Sequence, residues 1–202
     1  MGIIRQVLKS RRDYVCSKCR RTIPKGSSYY RGELNFMPSI IRCSSCGLKW
    51  YEVTTSDYIR DVGAIVEDWQ ESFAVQDGVW EEIASNLEEI MDGCSERLEN
   101  MPEQLQEESE AGQRLQERVD GLESATDELR DCSMEEFLQA GYEELTEEDQ
   151  EEIAAEGDVE DFESWYEAFW KKDTELARKW QEYTQNAITD RIDEILEGVP
   201  CE

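Results

Sequence analysis

Two short cysteine pairs, Cys16-Ser-Lys-Cys19 and Cys43-Ser-Ser-Cys46, decide the fold of the first fifty residues, and 23 residues separate them. Two residues between cysteines let both thiolates of a tight turn reach one ion, at a Zn–S distance of about 2.3 Å. Two such pairs complete a tetrahedron and leave no open position, as in structural rather than catalytic zinc sites. We therefore predict one structural Zn²⁺ held by all four cysteines.

Other uses of the four cysteines are two disulfides, an iron–sulfur cluster or a rubredoxin-like iron. The residues around Met1-Gly2-Ile3-Ile4-Arg5 do not resemble a signal peptide, which favours a cytoplasmic or otherwise intracellular location and disfavours disulfides. A basic segment of about fifty residues buries too little apolar surface to fold alone. Structural zinc contributes roughly 10–16 kcal/mol in finger peptides, which favours zinc.

The net charge of −28 is unevenly distributed. Residues 1–51 contain eleven Lys or Arg but only Asp13 and Glu33, a net charge of +9. The other 151 residues carry 10 basic and 47 acidic side chains, a net charge of −37. Adaptation to high salt would acidify every surface, so we expect two parts with different partners.

We expect a basic zinc-binding domain over residues 1–55 and an acidic domain over 56–202. The first is a small α+β treble clef or zinc ribbon, in which Ser28–Leu34 and Ser39–Arg42 are strands and residues 1–13 form a short helix or a partly ordered arm. The second is a coiled-coil-like all-α body. It is expected to contain an antiparallel hairpin (about 58–131), short helices (133–157) and a long C-terminal helix (about 159–197). The predicted N-caps are Ser133, Thr146 and Asp158, and Cys94 falls on the apolar stripe of the hairpin as a small buried residue. The C-terminal helix is predicted to carry an apolar seam over Phe162, Tyr166, Phe169, Leu176, Trp180, Tyr183 and Ala187, which shifts from Ile188 to Ile192, Ile195 and Val199.

The stretch from Cys16 to Ser27, with its Ile23-Pro24-Lys25-Gly26 turn and a second cysteine pair downstream, resembles the treble-clef zinc fingers of the poly(ADP-ribose) polymerase type. The resemblance implies recognition of DNA breaks and a second ligand pair at the start of a helix. Cys43 stands where that family has histidine, and the chain contains no histidine. The resemblance covers about 40 residues and implies nothing about the helical remainder.

An enzyme is not expected from this composition. Without histidine the chain lacks the commonest general base, and no glycine-rich phosphate loop or nucleophile elbow is present. Runs such as Glu147-Glu148-Asp149 are typical of solvated helix faces. The aromatic residues Trp165, Tyr166, Phe169 and Trp170 have the spacing of a helix core.

Two functions remain from the sequence. In the first, the basic finger binds nucleic acid and the helical body binds a protein or a second copy, because cations neutralise phosphates and aromatic rings stack on bases. In the second, the chain is purely a protein assembly or scaffold component, a class that includes DNA-mimic-like inhibitors, and its finger is only structural. Neither involves a membrane. The candidate nucleic-acid contacts are Arg11, Arg12, Lys18, Arg20, Arg21, Lys25, Arg31, Tyr29 and Tyr30.

Overall fold

The computed structural model describes residues 2–34, 37–71, 78–156 and 174–200 and shows a small antiparallel sheet with a mostly helical remainder. The chain divides into two compact units, one that extends to Glu67 and one over Asp68–Pro200. We call them the head and the body. The sequence predicts the boundary at residue 55, before the first helix (Asp57–Glu71). In the structure the boundary lies within that helix, after Glu67, so most of the helix belongs to the head. Among the described helices, none is long and apolar enough to cross a bilayer.

The head is built on two small sheets. β1, β4 and β5 form a three-stranded antiparallel sheet in the order β1-β4-β5, and β2 pairs with β3. The predicted strand pair is confirmed as β4 and β5. The head elements are β1 (Ile3–Val7), β2 (Tyr14–Val15), β3 (Thr22–Ile23), β4 (Tyr29–Glu33), β5 (Ile40–Cys43), a 3₁₀ helix (Trp50–Glu52) and α1 (Asp57–Glu71).

The prediction of a helix or loose arm at residues 1–13 is wrong, because this segment contains β1. Its register places Val7 opposite Tyr29 of β4. Val7 packs against the buried cluster that Tyr29 forms with Cys16 and Ile23, whereas Leu8 is 77% exposed. An extended backbone sends alternate side chains to one face, so a single valine reaches the core without a helical apolar stripe.

The outer edge of β1 is open. Ser17 donates its backbone N–H to the Ile41 carbonyl at 2.8 Å, so that carbonyl points away from β4. Antiparallel pairing then directs the polar backbone groups of Arg5 towards β4 and those of Ile4 and Gln6 outwards. Within the described residues, no partner pairs with these outward groups of Ile4 and Gln6.

Close approaches at two glycines determine how the rest of the head packs. A Cβ on Gly32 of β4 would come within 2.9 Å of the Leu48 and Val53 side chains. A Cβ on Gly63 of α1 would meet the Tyr51 ring at 2.5 Å. The segment after the second cysteine pair therefore lies against both the sheet and α1.

The body contains six described helices, which mostly begin at side-chain caps. Ser133 and Thr146, predicted as N-caps, accept hydrogen bonds from the backbone N–H groups of Glu136 and Asp149. The predicted cap at Asp158 lies outside the described residues. The body helices are α2 (Val79–Glu99), α3 (Glu103–Glu108), α4 (Glu110–Arg130), α5 (Met134–Glu143), α6 (Glu147–Glu156) and α7 (Glu175–Glu197).

α2 and α4 pack side by side and run antiparallel. Glu88 in the middle of α2 forms an ion pair with Arg130 at the end of α4, whereas Cys94, further along α2, lies near Arg118 in the middle of α4. Leu87 of α2 and Leu122 of α4 are fully buried. The predicted hairpin over 58–131 corresponds to these two helices with α3 between them; residues 72–77, between α1 and α2, lie outside the described residues.

α7 begins at Glu175, where Thr174 is extended and its side chain accepts a hydrogen bond from the Ala177 N–H. The sequence predicts a start for this helix near residue 159, but residues 159–173 lie outside the described residues. That segment includes the predicted core aromatics Phe162, Trp165, Tyr166, Phe169 and Trp170. The predicted seam includes Leu176, Trp180, Tyr183 and Ala187 and shifts from Ile188 to Ile192. The buried line comprises Ala177, Trp180, Thr184, Ile188 and Ile192, so the seam is confirmed at Trp180, Ile188 and Ile192, whereas Ala177 and Thr184 are buried in place of Leu176 and Tyr183.

Thr184 belongs to that line because α5 crosses there. A Cβ on Gly141 of α5 would lie 2.6 Å from the Thr184 backbone nitrogen. Trp180 is fully buried beside this crossing and donates its indole N–H to the Leu138 carbonyl at 2.9 Å. The α5–α7 contact therefore depends on small residues next to one large one.

Candidate metal centre

The structure brings the four predicted ligands together. The sulfur atoms of Cys16, Cys19, Cys43 and Cys46 all lie within 4.8 Å of one another. The Cys19 and Cys43 sulfurs are 3.7 Å apart. A tetrahedron with metal–sulfur bonds of about 2.3 Å has sulfur–sulfur edges of about 3.8 Å. The donor set and its spacing therefore fit one tetrahedral metal ion of the zinc type.

Each cysteine pair lies in the same kind of tight turn. In the first, Arg20 donates its N–H to the Cys16 carbonyl at 3.0 Å; in the second, Gly47 donates to the Cys43 carbonyl at 3.1 Å. The residue after the second cysteine is left-handed in both turns, with φ of 62° at Arg20 and 63° at Gly47. This conformation suits glycine but is uncommon for arginine.

The second pair does not open an α-helix. Gly47 is left-handed, the Trp50–Glu52 segment is a single 3₁₀ turn, and α1 begins only at Asp57. A left-handed Gly47 that closes the turn is the geometry expected of a zinc ribbon, whereas the poly(ADP-ribose) polymerase resemblance implies a helix at this point.

The thiols influence one another strongly. Burial disfavours ionisation of Cys16, but backbone N–H groups of Cys19, Cys43 and Lys18 outweigh it and lower the pKa of Cys16 to about 6. Contacts with the side chains of Cys43 and Cys19 raise the pKa of Cys46 to about 12. The raised pKa of Cys46 shows that thiolates in this cluster repel one another, and a divalent cation would supply the positive charge that offsets this repulsion.

One arginine connects the two halves of the site. Arg42 immediately precedes Cys43 and is mostly buried, with 13% of its side chain exposed. Its guanidinium donates to the Ser17 hydroxyl in the first turn and forms an ion pair with Glu52 in the 3₁₀ helix. Glu52 also accepts the backbone N–H of Lys49 at 3.0 Å. Sequence reasoning missed this network because its members are distant along the chain.

The structure removes Tyr29 from the candidate nucleic-acid contacts. Its side chain is 4% exposed and packs beside Cys16 and Ile23 in the cluster around the metal site. Its ring lies 5.0 Å from that of Tyr14, and a ring so enclosed cannot stack on a base. The prediction failed because the side of β4 that faces the cluster follows from strand register, which the sequence alone does not reveal.

Arg31 and Tyr30 are half-buried in β4. Arg31 is engaged locally, since its Nε lies 3.0 Å from the Glu33 carboxylate and its guanidinium also donates to the Ser39 hydroxyl. The other six predicted cations are exposed, and among the described residues none of them forms a salt bridge. They are Arg11, Arg12, Lys18, Arg20, Arg21 and Lys25.

The other described cysteines do not belong to the cluster. Cys94 is 2% exposed in the α2–α4 contact, as its place on the helical stripe predicted, and burial raises its pKa. Cys132 follows α4, and burial raises its pKa as well. Cys201 lies outside the described residues. Among those residues, the four-cysteine cluster is the one group of potential metal ligands that converges on a common point.

No protein-family model, curated protein or solved structure matches this chain.

Proposed function

We propose that the chain is a non-enzymatic zinc-binding adaptor whose head contacts nucleic acid and whose acidic helical body interacts with protein. The observation that carries this proposal is the set of six exposed cations in residues 11–25, none of which forms a salt bridge within the described part of the chain. Three of them (Lys18, Arg20 and Arg21) lie in or next to the first turn of a cysteine cluster that has the geometry of a closed, structural metal site. A closed site leaves no position for substrate, which supports a binding role.

The metal is proposed to be a single structural zinc ion in a ribbon-type head. Four sulfur donors with tetrahedral spacing favour zinc over harder cations, which prefer oxygen. Two like turns, each closed by a left-handed residue, support the ribbon arrangement. The charge of four thiolates and one Zn²⁺ is −2, so the metal site accounts for only two of the nine surplus positive charges in residues 1–51.

The body is proposed to stay away from nucleic acid. Acidic side chains far outnumber basic ones in the body, since residues 68–200 carry 42 Asp or Glu and 9 Lys or Arg. Phosphates would be repelled by this surface, which confines nucleic-acid contact to the head. Basic protein surfaces are the complementary partners for such a body.

Metal content tests the first half of the proposal. Protein purified without added metal is expected to contain one zinc per chain by elemental analysis, and Cys16→Ser with Cys43→Ser is expected to lose it. Cys94→Ser is the control and should keep one zinc. Iron in place of zinc, or folded metal-free protein, would refute the structural-zinc assignment.

Salt-dependent binding tests the second half. Full-length zinc-loaded protein is expected to bind random-sequence nucleic acid in 50 mM salt, and affinity should fall steeply as salt rises. A variant with Arg11, Arg12 and Arg21 changed to Ala should lose most of this binding. A matched variant, Arg97→Ala with Arg114→Ala in the body, should bind at least as well as the original. Absence of binding to DNA and RNA at low salt would refute nucleic-acid contact.

A further inference from the structure

The first cysteine turn lies at the tip of a narrow two-stranded ribbon over residues 11–25. β2 and β3 form its middle, with Tyr14 opposite Ile23 and Val15 opposite Thr22. At its base, the Lys25 N–H donates to the Asp13 carboxylate at 2.7 Å, and Ser10 donates its hydroxyl to the Pro24 carbonyl at 2.8 Å. At its tip, the Cys16 N–H donates to the Arg21 carbonyl at 2.9 Å. Both ends of the ribbon are therefore fixed.

The six exposed cations divide between these two ends. Arg11, Arg12 and Lys25 lie at the base, and Lys18, Arg20 and Arg21 lie at the tip. Residue 25 is four positions after residue 21, a distance of about 13 Å if the segment is extended at 3.3 Å per residue. Between the two groups, Val15 is 57% exposed and Thr22 is also exposed. The ribbon thus carries a small, partly apolar centre between two positive ends.

This spacing matches a feature of B-form DNA. Its major groove is about 12 Å wide, admits a two-stranded β-ribbon, and is bordered on each side by the phosphates of one strand. A single strand offers only one line of phosphates. The major groove of A-form RNA is too deep and narrow for side chains to read. Two positive ends about 13 Å apart therefore fit duplex DNA better than either alternative.

The aromatic residues of the head argue against a single-strand mode that depends on base stacking. Tyr29 is buried, and Tyr14 is covered by the Tyr29 ring and by the Arg12 guanidinium, 5.2 Å from its centre. Trp50 is 44% exposed, but it lies next to the Arg42–Glu52 and Lys49–Glu67 ion pairs rather than beside unpaired cations. Single-strand binders combine cations with open ring faces, and the ribbon lacks that combination.

We propose that the ribbon of residues 11–25 enters the major groove of double-stranded DNA, with its base and tip cations on the phosphates of opposite strands. This rests on the proposed function of the head as a nucleic-acid contact. The mode requires an intact groove rather than a strand end, so closed circular duplex should be bound as well as linear duplex. Six phosphate contacts predict a slope of about −5 in a plot of log affinity against log salt.

The test uses full-length zinc-loaded protein and fluorescence anisotropy with a 20-base-pair DNA duplex, competed by the single strand, the matching RNA duplex or a closed circular duplex. We expect the DNA duplex to bind at least tenfold more tightly than the single strand or RNA, and the circle to compete as well as linear DNA. Methylation of guanine N7, which lies in the major groove, should interfere with binding. The groove assignment would be overturned if the single strand or the RNA bound as tightly as the DNA duplex or more tightly. It would also be overturned if only methylation of minor-groove atoms interfered with binding. In either case the proposed nucleic-acid contact of the head would still stand.

Variants separate the two ends of the ribbon. Removal of the base trio (Arg11, Arg12 and Lys25 to Ala) or of the tip trio (Lys18, Arg20 and Arg21 to Ala) should each reduce the salt slope by about 2.7. Trp50→Ala is the stacking control and should leave duplex affinity unchanged. Zinc content measured on every variant shows that the head remains folded. If removal of one trio abolished the salt dependence and removal of the other did not change it, the contact with both strands would be wrong. If the protein bound no nucleic acid at all, the proposed function itself would be wrong.

Discussion

The two left-handed residues that close the cysteine turns predict opposite effects of substitution on metal affinity. Gly47 has φ of 63°, and a Cβ built there would have no neighbour within 4 Å in the described part of the chain. The cost of Gly47→Ala therefore comes from backbone conformation alone, about 1–2 kcal/mol. The lower entropy of the unfolded alanine chain offsets roughly 0.4–1 kcal/mol of this. The net loss is about 1 kcal/mol.

Arg20 has φ of 62°, so the same two energies, backbone strain and the entropy of the unfolded chain, have the opposite signs when it is changed to glycine. Arg20→Gly removes the conformational strain and increases the entropy of the unfolded chain, for a net gain of about 0.5–1 kcal/mol. Arg21→Gly is the matched control, because it removes the same charge at a neighbouring exposed position whose φ is not positive. It should bring no gain.

The proposed structural zinc couples folding of the head to metal binding, so these energies are expected to appear as metal affinity. Competition with a chromogenic zinc chelator should show binding about fivefold weaker for Gly47→Ala and two- to fivefold tighter for Arg20→Gly. Gly93→Ala in α2, where a Cβ also meets nothing, should leave zinc affinity unchanged. An unchanged affinity for Gly47→Ala, or equal effects of Arg20→Gly and Arg21→Gly, would refute the reasoning.

Three further outcomes follow from close packing and charge. Gly63→Ala should destabilise the head by about 1–3 kcal/mol, because its Cβ would overlap the Tyr51 ring, and zinc should be released at a lower temperature. Thr184→Val should stabilise the body by about 1 kcal/mol in urea unfolding, since the buried Thr184 hydroxyl has no hydrogen-bond partner among the residues that the structure describes; a loss of stability would contradict this. Burial disfavours the charged form of Glu52, but hydrogen bonds from Arg42 and the Lys49 backbone outweigh it and lower the pKa of Glu52 below its ordinary 4.5. Its stabilising contribution is thus complete above pH 4.5 and is lost as the pH falls further, so Glu52→Gln should narrow the stability difference between pH 6 and pH 3.5, measured at equal zinc occupancy.

Sequence spacing predicted the ligand set of the candidate metal site because two residues between cysteines constrain geometry locally. It could not predict which side chains surround the site. Arg42 and Glu52 meet Ser17 only after β5 and the first turn are brought together. Tyr29 looked like a contact for nucleic acid because burial depends on the pairing of β4 with its neighbours, which no local pattern encodes.

The helical body was predictable where its pattern is strong. Caps at Ser133 and Thr146 marked the starts of helices, since a side-chain oxygen there satisfies a free backbone N–H. The α7 seam was correct at Trp180, Ile188 and Ile192 but one residue off at Tyr183, because the buried Thr184 is polar and a hydrophobic pattern therefore passes over it. β1 was misassigned because it is only five residues long and mixes apolar with polar residues. Such a short pattern is compatible with a helix as well as with a strand.

The open edge of β1 affects how copies of this protein meet at high concentration. Two β1 edges can pair as antiparallel strands with Arg5 at the centre of the register. In that register, Ile4 lies opposite Gln6 of the second molecule, and the Arg5 residues of the two molecules lie directly opposite each other. Like charges at such close range oppose this edge-to-edge pairing. Arg5→Val would keep the same free backbone groups without that repulsion, and two heads would then be prone to pair as a closed dimer.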